Sequence, residues 1–227
     1  MSLDKFIVRF YNEVKLANLK NTVFKSKQEI RQAVWVYMEN NNLVTFPRPC
    51  YRRIPNFIGS QTATDKLKTL TEWKEARVIF SAPDSSLHPA RCETLKEGKI
   101  LLVAAPKLTG FYLLKDISPE KAFEASGIRG FPRFGRAIKI KPYLPRVDLY
   151  LTGAVAVDKK GNRIGKGTGY GDREDIILSE AGLIDEKTPR VALVHEVQVF
   201  EDFSYLMGEK DRRILIIVTP KEVYKIN

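Results

Sequence analysis

The chain has 227 residues, of which 44% are hydrophobic and 29% charged, a composition that supports a sizeable core and is ordinary for a soluble protein. It contains no run of about 18 apolar residues, which excludes a membrane-spanning helix, and its two cysteines are too few for a disulfide framework, so we expect a cytoplasmic protein. The net charge of +11 favours a polyanionic partner, either nucleic acid or a phosphorylated and carboxylated small molecule, with a lysine-rich solvated surface as the alternative.

Apolar spacing and turn signals divide the chain into alternating helices and strands. The clearest helix follows Ser26, which makes a capping box with Glu29, and it carries Ile30, Val34 and Met38 at helical spacing. In chain order, the predicted elements are helices at 27–40 and 60–72, a strand at 77–81, a helix at 88–96, strands at 100–105 and 112–115, a short helix at 118–126, a strand at 148–157, a helix at 173–181, and strands at 191–200 and 214–219. The other segments are an N-terminal arm or helix within 1–25, a proline-rich segment at 46–56 and an irregular, basic, aromatic segment at 127–145.

This alternation predicts an α/β fold in which a mostly parallel sheet is covered by helices on both faces. No internal repeat, low-complexity segment or linker divides the sequence. We therefore expect a single three-layer domain over residues 1–227, and nothing in the sequence sets an oligomeric state.

The most informative segment lies between a predicted strand and a predicted helix, at residues 163–173, and reads Arg-Ile-Gly-Lys-Gly-Thr-Gly-Tyr-Gly-Asp-Arg. Glycines let a backbone approach an anion, and a helix N-terminus adds partial positive charge. Arg163 and Lys166 would add full charges, and Asp172 would either coordinate magnesium or cap the helix. The segment predicts a phosphate site, with an ordinary turn as the alternative; its spacing matches neither the dinucleotide fingerprint nor the P-loop. The residues expected to contact a nucleotide are Gly165, Gly167, Thr168, Gly169, Tyr170, Gly171 and Asp172.

The run from 161 to 173 resembles the nucleotide loop of the 5-formyltetrahydrofolate cyclo-ligases, also called methenyltetrahydrofolate synthetases. Three further pieces agree with this resemblance. Residues 27–31, Lys-Gln-Glu-Ile-Arg, resemble the family's N-terminal Lys-x-x-Leu-Arg helix. Gln198 lies late in a predicted strand, where the family has a glutamine, and residues 215–223 resemble its C-terminal strand and turn. The resemblance spans residues 27–223, and the glycine loop is its most specific part.

The sequence departs from the best-known enzymes of the family in the loop itself. Their loop ends Gly-Tyr-Tyr-Asp, whereas this one has Gly171 in place of the second tyrosine. Residues 46–56 and 128–135 are instead similar to a divergent branch, which includes archaeal cyclo-ligase-like proteins and the methenyltetrahydrofolate synthetase domain-containing proteins of animals.

The resemblance implies a Rossmann-like fold of the NagB/RpiA/CoA-transferase-like class and a reaction that needs ATP, Mg²⁺ and a reduced folate. In the family, ATP phosphorylates the formyl oxygen of 5-formyltetrahydrofolate, N10 attacks the activated carbon, and loss of phosphate gives 5,10-methenyltetrahydrofolate. Such a reaction depends mainly on positioning and on neutralising the moving phosphoryl group. The catalytic residues implied are Lys27 and Arg31, which share one helix face, and Arg163 and Lys166 on the loop.

The two basic, aromatic segments admit three interpretations. Their arginines and rings would hold the carboxylates and pterin of a folate, or bind single-stranded RNA, or form proline-rich surface loops. A non-catalytic nucleotide- or RNA-binding protein on the same fold is thus the alternative function. His88 precedes a helix near a strand end, whereas His195 is interpreted as a core histidine in a strand, and neither predicts a metal site. The candidate folate contacts are Arg48, Arg52, Phe57, His88, Arg129, Phe131 and Tyr170.

Overall fold

The computed structural model describes residues 16–208 and 211–226. In chain order, the elements are α1 (Leu16–Asn21), α2 (Lys27–Asn40), α3 (Ser60–Thr69), α4 (Thr71–Glu75), β1 (Val78–Ser81), α5 (His88–Lys96), β2 (Ile100–Ala104), β3 (Phe111–Leu114), α6 (Ala122–Ala125), α7 (Phe131–Phe134), β4 (Arg136–Ile138), β5 (Leu149–Thr152), β6 (Ala156–Asp158), β7 (Arg163–Ile164), α8 (Tyr170–Glu180), β8 (Arg190–Leu193), β9 (Val199–Phe200), β10 (Ile216–Val218) and β11 (Val223–Lys225). Of the predicted N-terminal arm, residues 1–15 lie outside the described residues. None of the helices described has the length and apolar character needed to cross a membrane.

The large sheet has the strand order β11-β10-β8-β5-β1-β2-β3-β4. Its central strands β10, β8, β5, β1 and β2 run parallel, and β3, β4 and β11 pair antiparallel at the edges. Parallel strands buried on both faces consist of continuous apolar runs, and β1 is buried along its whole length. A smaller sheet has the order β7-β6-β9. The predicted α/β fold with a mostly parallel sheet is confirmed.

Helices cover both faces of the large sheet. On one face, Leu67 of α3 belongs to the same buried cluster as Ile79 of β1, and α5 covers the neighbouring part of that face. On the other face, Leu178 of α8 is buried with Phe80. Ile79 and Phe80 are adjacent in β1 and point to opposite faces, as the pleat requires. Full burial of one such side chain stabilises the fold by roughly 2 kcal/mol.

The predicted helix at 27–40 forms with the bounds expected, because its first turn is capped as the sequence indicates. Ser26 Oγ accepts a hydrogen bond from the Glu29 N–H at 3.2 Å. The Glu29 carboxylate accepts from the N–H of Lys25 at 2.8 Å, one residue before the position in the usual capping box. Ile30, with Val34 and Met38, is fully buried on the inner face.

Two predicted strands are wrong in their extent. The apolar run at 148–157 is not one strand, because β5 ends at Thr152 and the chain then moves to the small sheet as β6. The run at 191–200 is likewise divided into β8, a short 3-10 helix at Glu196–Gln198 and β9. Gln198 therefore lies in a 3-10 helix rather than in a strand. A continuous apolar run does not reveal where a chain changes sheet, since both parts are buried.

Two further predictions need correction. Residues 127–145, expected to be irregular, contain the short helix α7 and the edge strand β4. The helix predicted at 60–72 ends at Thr69, and Leu70 is extended (φ −73°, ψ 146°) before the short helix α4 begins.

Candidate active site

A cavity of about 510 Å³ lies at the carboxyl ends of β1, β2 and β5, where residues 82–85, 106–107 and 152–153 line it. The order of the strands reverses at this point. The chain passes from β1 to β2 on one side and then returns to β5 on the other side of β1. Ligands of open α/β sheets bind in the crevice at such a switch point, so the fold itself marks this cavity as the candidate site.

The glycine loop joins β7 to α8, and residues 163–172 line the same cavity. Gly167 (φ +95°) and Gly169 (φ +68°) adopt left-handed conformations, which favour glycine strongly. Gly169 is also the N-cap residue of α8, which begins at Tyr170. The loop therefore brings a helix N-terminus and its partial positive charge to the cavity.

Helix α2 contributes two of the predicted cations to this cavity, Lys27 and Arg31. Arg31 Nε donates a hydrogen bond to the carbonyl oxygen of Gly165 at 2.7 Å. Its guanidinium carbon would lie 3.4 Å from a Cβ atom placed on Gly167. Arg31 thus contacts the glycine loop directly, and the i, i+4 spacing places Lys27 on the same face of the helix.

The cations of the cavity differ in how they are paired. Lys27 Nζ lies 2.6 Å from Asp211 Oδ2, and Arg163 Nη2 lies 2.7 Å from Asp172 Oδ1. Within the described part of the chain, Lys166 has no ion pair. Asp172 lies in the first turn of α8 and does not cap it, because Gly169 is the N-cap and no side chain caps this helix.

Gly171 has a steric role where the resembling enzymes have tyrosine. A Cβ atom at this position would lie 2.9 Å from Nη2 and 3.1 Å from Nη1 of Arg163. The missing side chain leaves room for the Arg163 guanidinium to reach Asp172. The departure from the family's loop is therefore linked to the position of one of the predicted catalytic cations.

Three acids that the sequence analysis did not select also line the cavity: Asp211, the partner of Lys27, Asp84 after β1 and Glu174 on α8. Glu174 is only 3% exposed, and its Oε2 has no hydrogen-bond partner among the residues described. Burial, and next the repulsion by Asp84, raise the pKa of Glu174 to about 8. Burial also raises the pKa of Asp84, and the charges of Lys166, Arg91 and Arg163 oppose that shift.

The loop that carries Asp84 is fixed by a buried arginine and by a close contact with β5. The buried Arg91 guanidinium donates hydrogen bonds to the carbonyl oxygens of Ala82, Asp84 and Ser126 at 2.8 to 3.0 Å. A Cβ atom on Gly153 would lie 2.6 Å from Ile54 Cγ2 and 3.2 Å from Asp84 Oδ2.

Gln198 ties the end of β8 to the point where the chain leaves the large sheet. Its Oε1 accepts a hydrogen bond from the His195 N–H at 2.7 Å, and its Nε2 donates to the carbonyl oxygens of Ala154 and Val155. His195 follows β8 and caps the 3-10 helix that contains Gln198, so its interpretation as a residue inside a strand is wrong. Gln198 therefore positions the small sheet from which the glycine loop emerges.

Three predicted folate contacts have side chains directed elsewhere. Phe57 and Phe131 are 1% and 0% exposed, and each belongs to a hydrophobic core cluster, where it cannot stack on a ligand. His88 Nε2 forms a hydrogen bond with the carbonyl oxygen of Phe123 at 3.0 Å, and burial lowers the pKa of its imidazole. None of these three residues lines the cavity.

The predicted arginine contacts also lie outside the cavity. Arg48 forms an ion pair with Glu39 at 2.7 Å, and Arg52 and Arg129 are exposed. Arg53 and Ile54, from the same proline-rich segment, line the cavity instead. Tyr170 is the one predicted folate contact that lines it, together with the glycine loop. A resemblance at the level of a segment does not show which of its residues face inwards.

The described residues contain no group of three or more His, Cys, Asp or Glu side chains that would hold a metal ion. Any divalent cation in the cavity would therefore need ligands from a bound substrate as well. Mg²⁺ commonly binds in this way, with one or two carboxylates, substrate phosphates and water.

Most of the chain is similar to one family of known proteins. A model of the 5-formyltetrahydrofolate cyclo-ligase family matches residues 23–220. The chain belongs to this family. Relatives within it include the methenyltetrahydrofolate synthase domain-containing proteins of Bos taurus and Homo sapiens, each 38% identical over 208 residues, or 87% of this chain and 53% of theirs. The chain thus spans about half the length of these relatives.

The fold of the family is also represented among solved structures. The NMR structure of 5,10-methenyltetrahydrofolate synthetase from Aquifex aeolicus is 24% identical and gives a TM-score of 0.55, covering 88% of this chain and 93% of that one. The shared fold supports the mostly parallel sheet with flanking helices.

Proposed function

We propose that the chain is an ATP-dependent cyclo-ligase that converts 5-formyltetrahydrofolate, or a related reduced folate, to 5,10-methenyltetrahydrofolate. The observation that carries this proposal is the convergence of four cations on one glycine loop at the switch point of the sheet. Two come from α2, Lys27 and Arg31, and two from the loop, Arg163 and Lys166. Membership of the cyclo-ligase family supports the choice of reaction.

In the proposed reaction, the formyl oxygen takes the terminal phosphoryl group of ATP and ADP leaves. N10 then bonds to the activated carbon and loses its proton, and the carbon–oxygen bond breaks to release phosphate. The chain's part in both steps is electrostatic, because charge develops on phosphoryl oxygens. Lys166, which has no ion pair within the described residues, and Arg31, held against the loop by its bond to Gly165, are placed to neutralise it.

The residues present fit a nucleotide phosphate chain. Gly167 and Gly169 expose backbone in left-handed conformations, and α8 directs its N-terminus to the same cavity. Mg²⁺, when bound with ATP, would supply further charge neutralisation. For the folate, we propose that Arg53 and Lys107 attract its carboxylates and that Ile54 contacts its ring, since all three line the cavity.

The test is to incubate the chain with ATP, Mg²⁺ and 5-formyltetrahydrofolate and to follow the absorbance of the methenyl product. Lys166→Met should lower kcat/KM by about 10²- to 10³-fold, the usual effect of removing one such charge. Lys74→Met, a matched change of an exposed lysine on α4, should leave it unchanged. The proposal is rejected if the unaltered chain forms no methenyl product and shows no folate-dependent turnover of ATP.

One observation favours the alternative, an RNA-binding protein. Residues 129–146 contain six Lys or Arg and no acid, and most of this segment lies outside the cavity, with Tyr143 78% exposed. Binding of a single-stranded oligonucleotide that weakens steeply with salt, in a chain without cyclo-ligase activity, would support this alternative.

A further inference from the structure

Glu174 is a buried acid whose hydrogen-bonding capacity is not met. Its side chain is 3% exposed, it lines the cavity, and Oε2 has no hydrogen-bond partner in the described residues. Nearly all buried polar atoms in folded proteins have a partner, because an unsatisfied one is strongly unfavourable. Three such atoms occur among the described residues, and of these Glu174 Oε2 is the one on a residue that lines the cavity, where a ligand would complete its coordination.

Asp84 supplies a second carboxylate from the loop after β1. It lines the same cavity, and it forms no ion pair with any residue in 16–208 or 211–226. Its Oδ2 would lie 3.2 Å from a Cβ atom placed on Gly153, and the Gly153 carbonyl oxygen accepts a hydrogen bond from Arg163 Nη1 at 3.4 Å, so Asp84 lies beside a cation of the cavity. Arg91 fixes the position of Asp84 through the Asp84 carbonyl oxygen at 3.0 Å.

Asp172, the acid that the sequence assigns to magnesium, is engaged otherwise. Its Oδ1 accepts a hydrogen bond from Arg163 at 2.7 Å, and the absence of a side chain at Gly171 permits that contact. A carboxylate already neutralised by arginine is a weaker ligand for a dication than one without a counter-charge.

We propose that Asp84 and Glu174, rather than Asp172, bind the divalent cation of this site. The inference rests on the proposed function, in which that cation is Mg²⁺ accompanying ATP. Lys27, Arg31, Arg163 and Lys166 attract phosphates into a cavity that is also lined by two carboxyl groups, neither of which forms an ion pair within the described residues. Phosphate and carboxylate repel each other, and a dication between them replaces that repulsion by two attractions. Mg²⁺ typically takes one or two carboxylates together with phosphate oxygens and water, so a pair of acids is sufficient.

Mn²⁺ is the probe, because its free form gives an electron paramagnetic resonance signal that decreases on binding. The metal alone is titrated with metal-free protein. Glu174→Gln and Asp84→Asn should each weaken Mn²⁺ binding by about tenfold or more, whereas Asp172→Asn should change it by less than about threefold. Glu180→Gln, an exposed acid on the same helix, is the matched control and should have no effect.

Folding of the variants is checked by circular dichroism, and nucleotide binding by a fluorescent ATP analogue in EDTA. Glu174→Gln should bind the metal-free analogue about as tightly as the unaltered chain, because the raised pKa of Glu174 leaves its carboxyl mostly protonated at neutral pH and glutamine has the same size and charge. The proposal is overturned if the unaltered chain does not bind Mn²⁺, if both variants bind it as tightly as the unaltered chain, or if only Asp172→Asn loses it.

The two proposals fail separately. If the chain binds Mn²⁺ through Asp84 and Glu174 but forms no methenyl product, the proposed cation site stands and the proposed cyclo-ligase function is rejected. If the unaltered chain forms the product but both variants bind Mn²⁺ normally, the proposed function stands and the proposed cation site is rejected.

Discussion

Removing the charge of Asp211 should strengthen nucleotide binding, although this acid lines the proposed active site. Lys27 Nζ lies 2.6 Å from Asp211 Oδ2, so one of the four proposed phosphate-binding cations is already paired with an anion of the chain itself. Burial raises the pKa of Asp211, but the Gly208 N–H and Lys27 outweigh it and leave the pKa below its ordinary value. The carboxylate is therefore charged at neutral pH and competes with phosphate for Lys27.

The size of the effect follows from the exposure of the pair. The side chains of Lys27 and Asp211 are 28% and 24% exposed, so water screens their attraction substantially. Ion pairs near a surface contribute about 0.2–1 kcal/mol, and this partly buried pair should lie at or slightly above the upper end. Since about 1.4 kcal/mol corresponds to a factor of ten, Asp211→Asn should bind nucleotide about five- to tenfold more tightly.

The assay is a titration with a fluorescent ATP analogue at low salt. Glu201→Gln is the matched control, because Glu201 pairs with Lys159 at the same distance of 2.6 Å but neither residue lines the cavity. A double-mutant cycle with Lys27→Met completes the experiment, since the gain from Asp211→Asn should disappear when Lys27 is absent. Equal or weaker nucleotide binding by Asp211→Asn would refute the reasoning, as would a gain that persists in the Lys27→Met background.

Three other substitutions test the site and its support. Gly167→Ala should weaken nucleotide binding by about tenfold or more in the same titration, because a φ of +95° strains any residue with a Cβ atom. Gly171→Tyr should lower kcat/KM by about tenfold or more in the cyclisation assay, because its Cβ atom would lie 2.9 Å from Arg163 Nη2 and displace a charge that stabilises the transition state; an unchanged value would argue against a role for Arg163. Arg91→Met should lower the free energy of unfolding by roughly 3 kcal/mol in urea titrations, because it leaves buried carbonyl oxygens unpaired, whereas Arg77→Met at an exposed position should change it by less than about 0.5 kcal/mol.

The glycine loop and α2 could be predicted from sequence because each carries a local signal. Four alternating glycines at 165–171 permit backbone conformations that few other residues adopt, and the structure uses this freedom at Gly167 and Gly169, which lie in the left-handed region. The capping pattern of Ser26 and Glu29 predicts where α2 starts, and the spacing of Ile30 and Val34 predicts its buried face. Lys27 and Arg31 line the same cavity as the glycine loop. The family resemblance implied this arrangement, because it assigned α2 and the loop to one site although more than a hundred residues separate them in the sequence.

Asp84, Glu174 and Asp211 could not be predicted in the same way, because no local pattern marks them. Asp84 follows a strand whose place in the sheet is known only from the topology, and Glu174 is one acid among several on its helix. A signal did exist for Asp84, since residues after the carboxyl ends of parallel strands are favoured positions for binding sites. The predicted folate contacts at Phe57 and Phe131 were misled by a local pattern. Their basic, proline-containing surroundings suggested exposed rings, whereas both rings are buried.

Gly153 has a consequence for how the range of substrates can change. A single methyl group at this position would lie 2.6 Å from Ile54 and 3.2 Å from Asp84, so the end of β5 approaches the proline-rich segment and the loop after β1 too closely to leave room for a side chain at 153. Any side chain at 153 would first require a smaller residue at 54. Variants that accept a differently shaped ring are thus reached through Ile54→Ala, which removes the obstructing Cγ2 atom, and not through Ile54→Val, which keeps it. The order of substitutions, rather than their number, limits the evolution of this pocket.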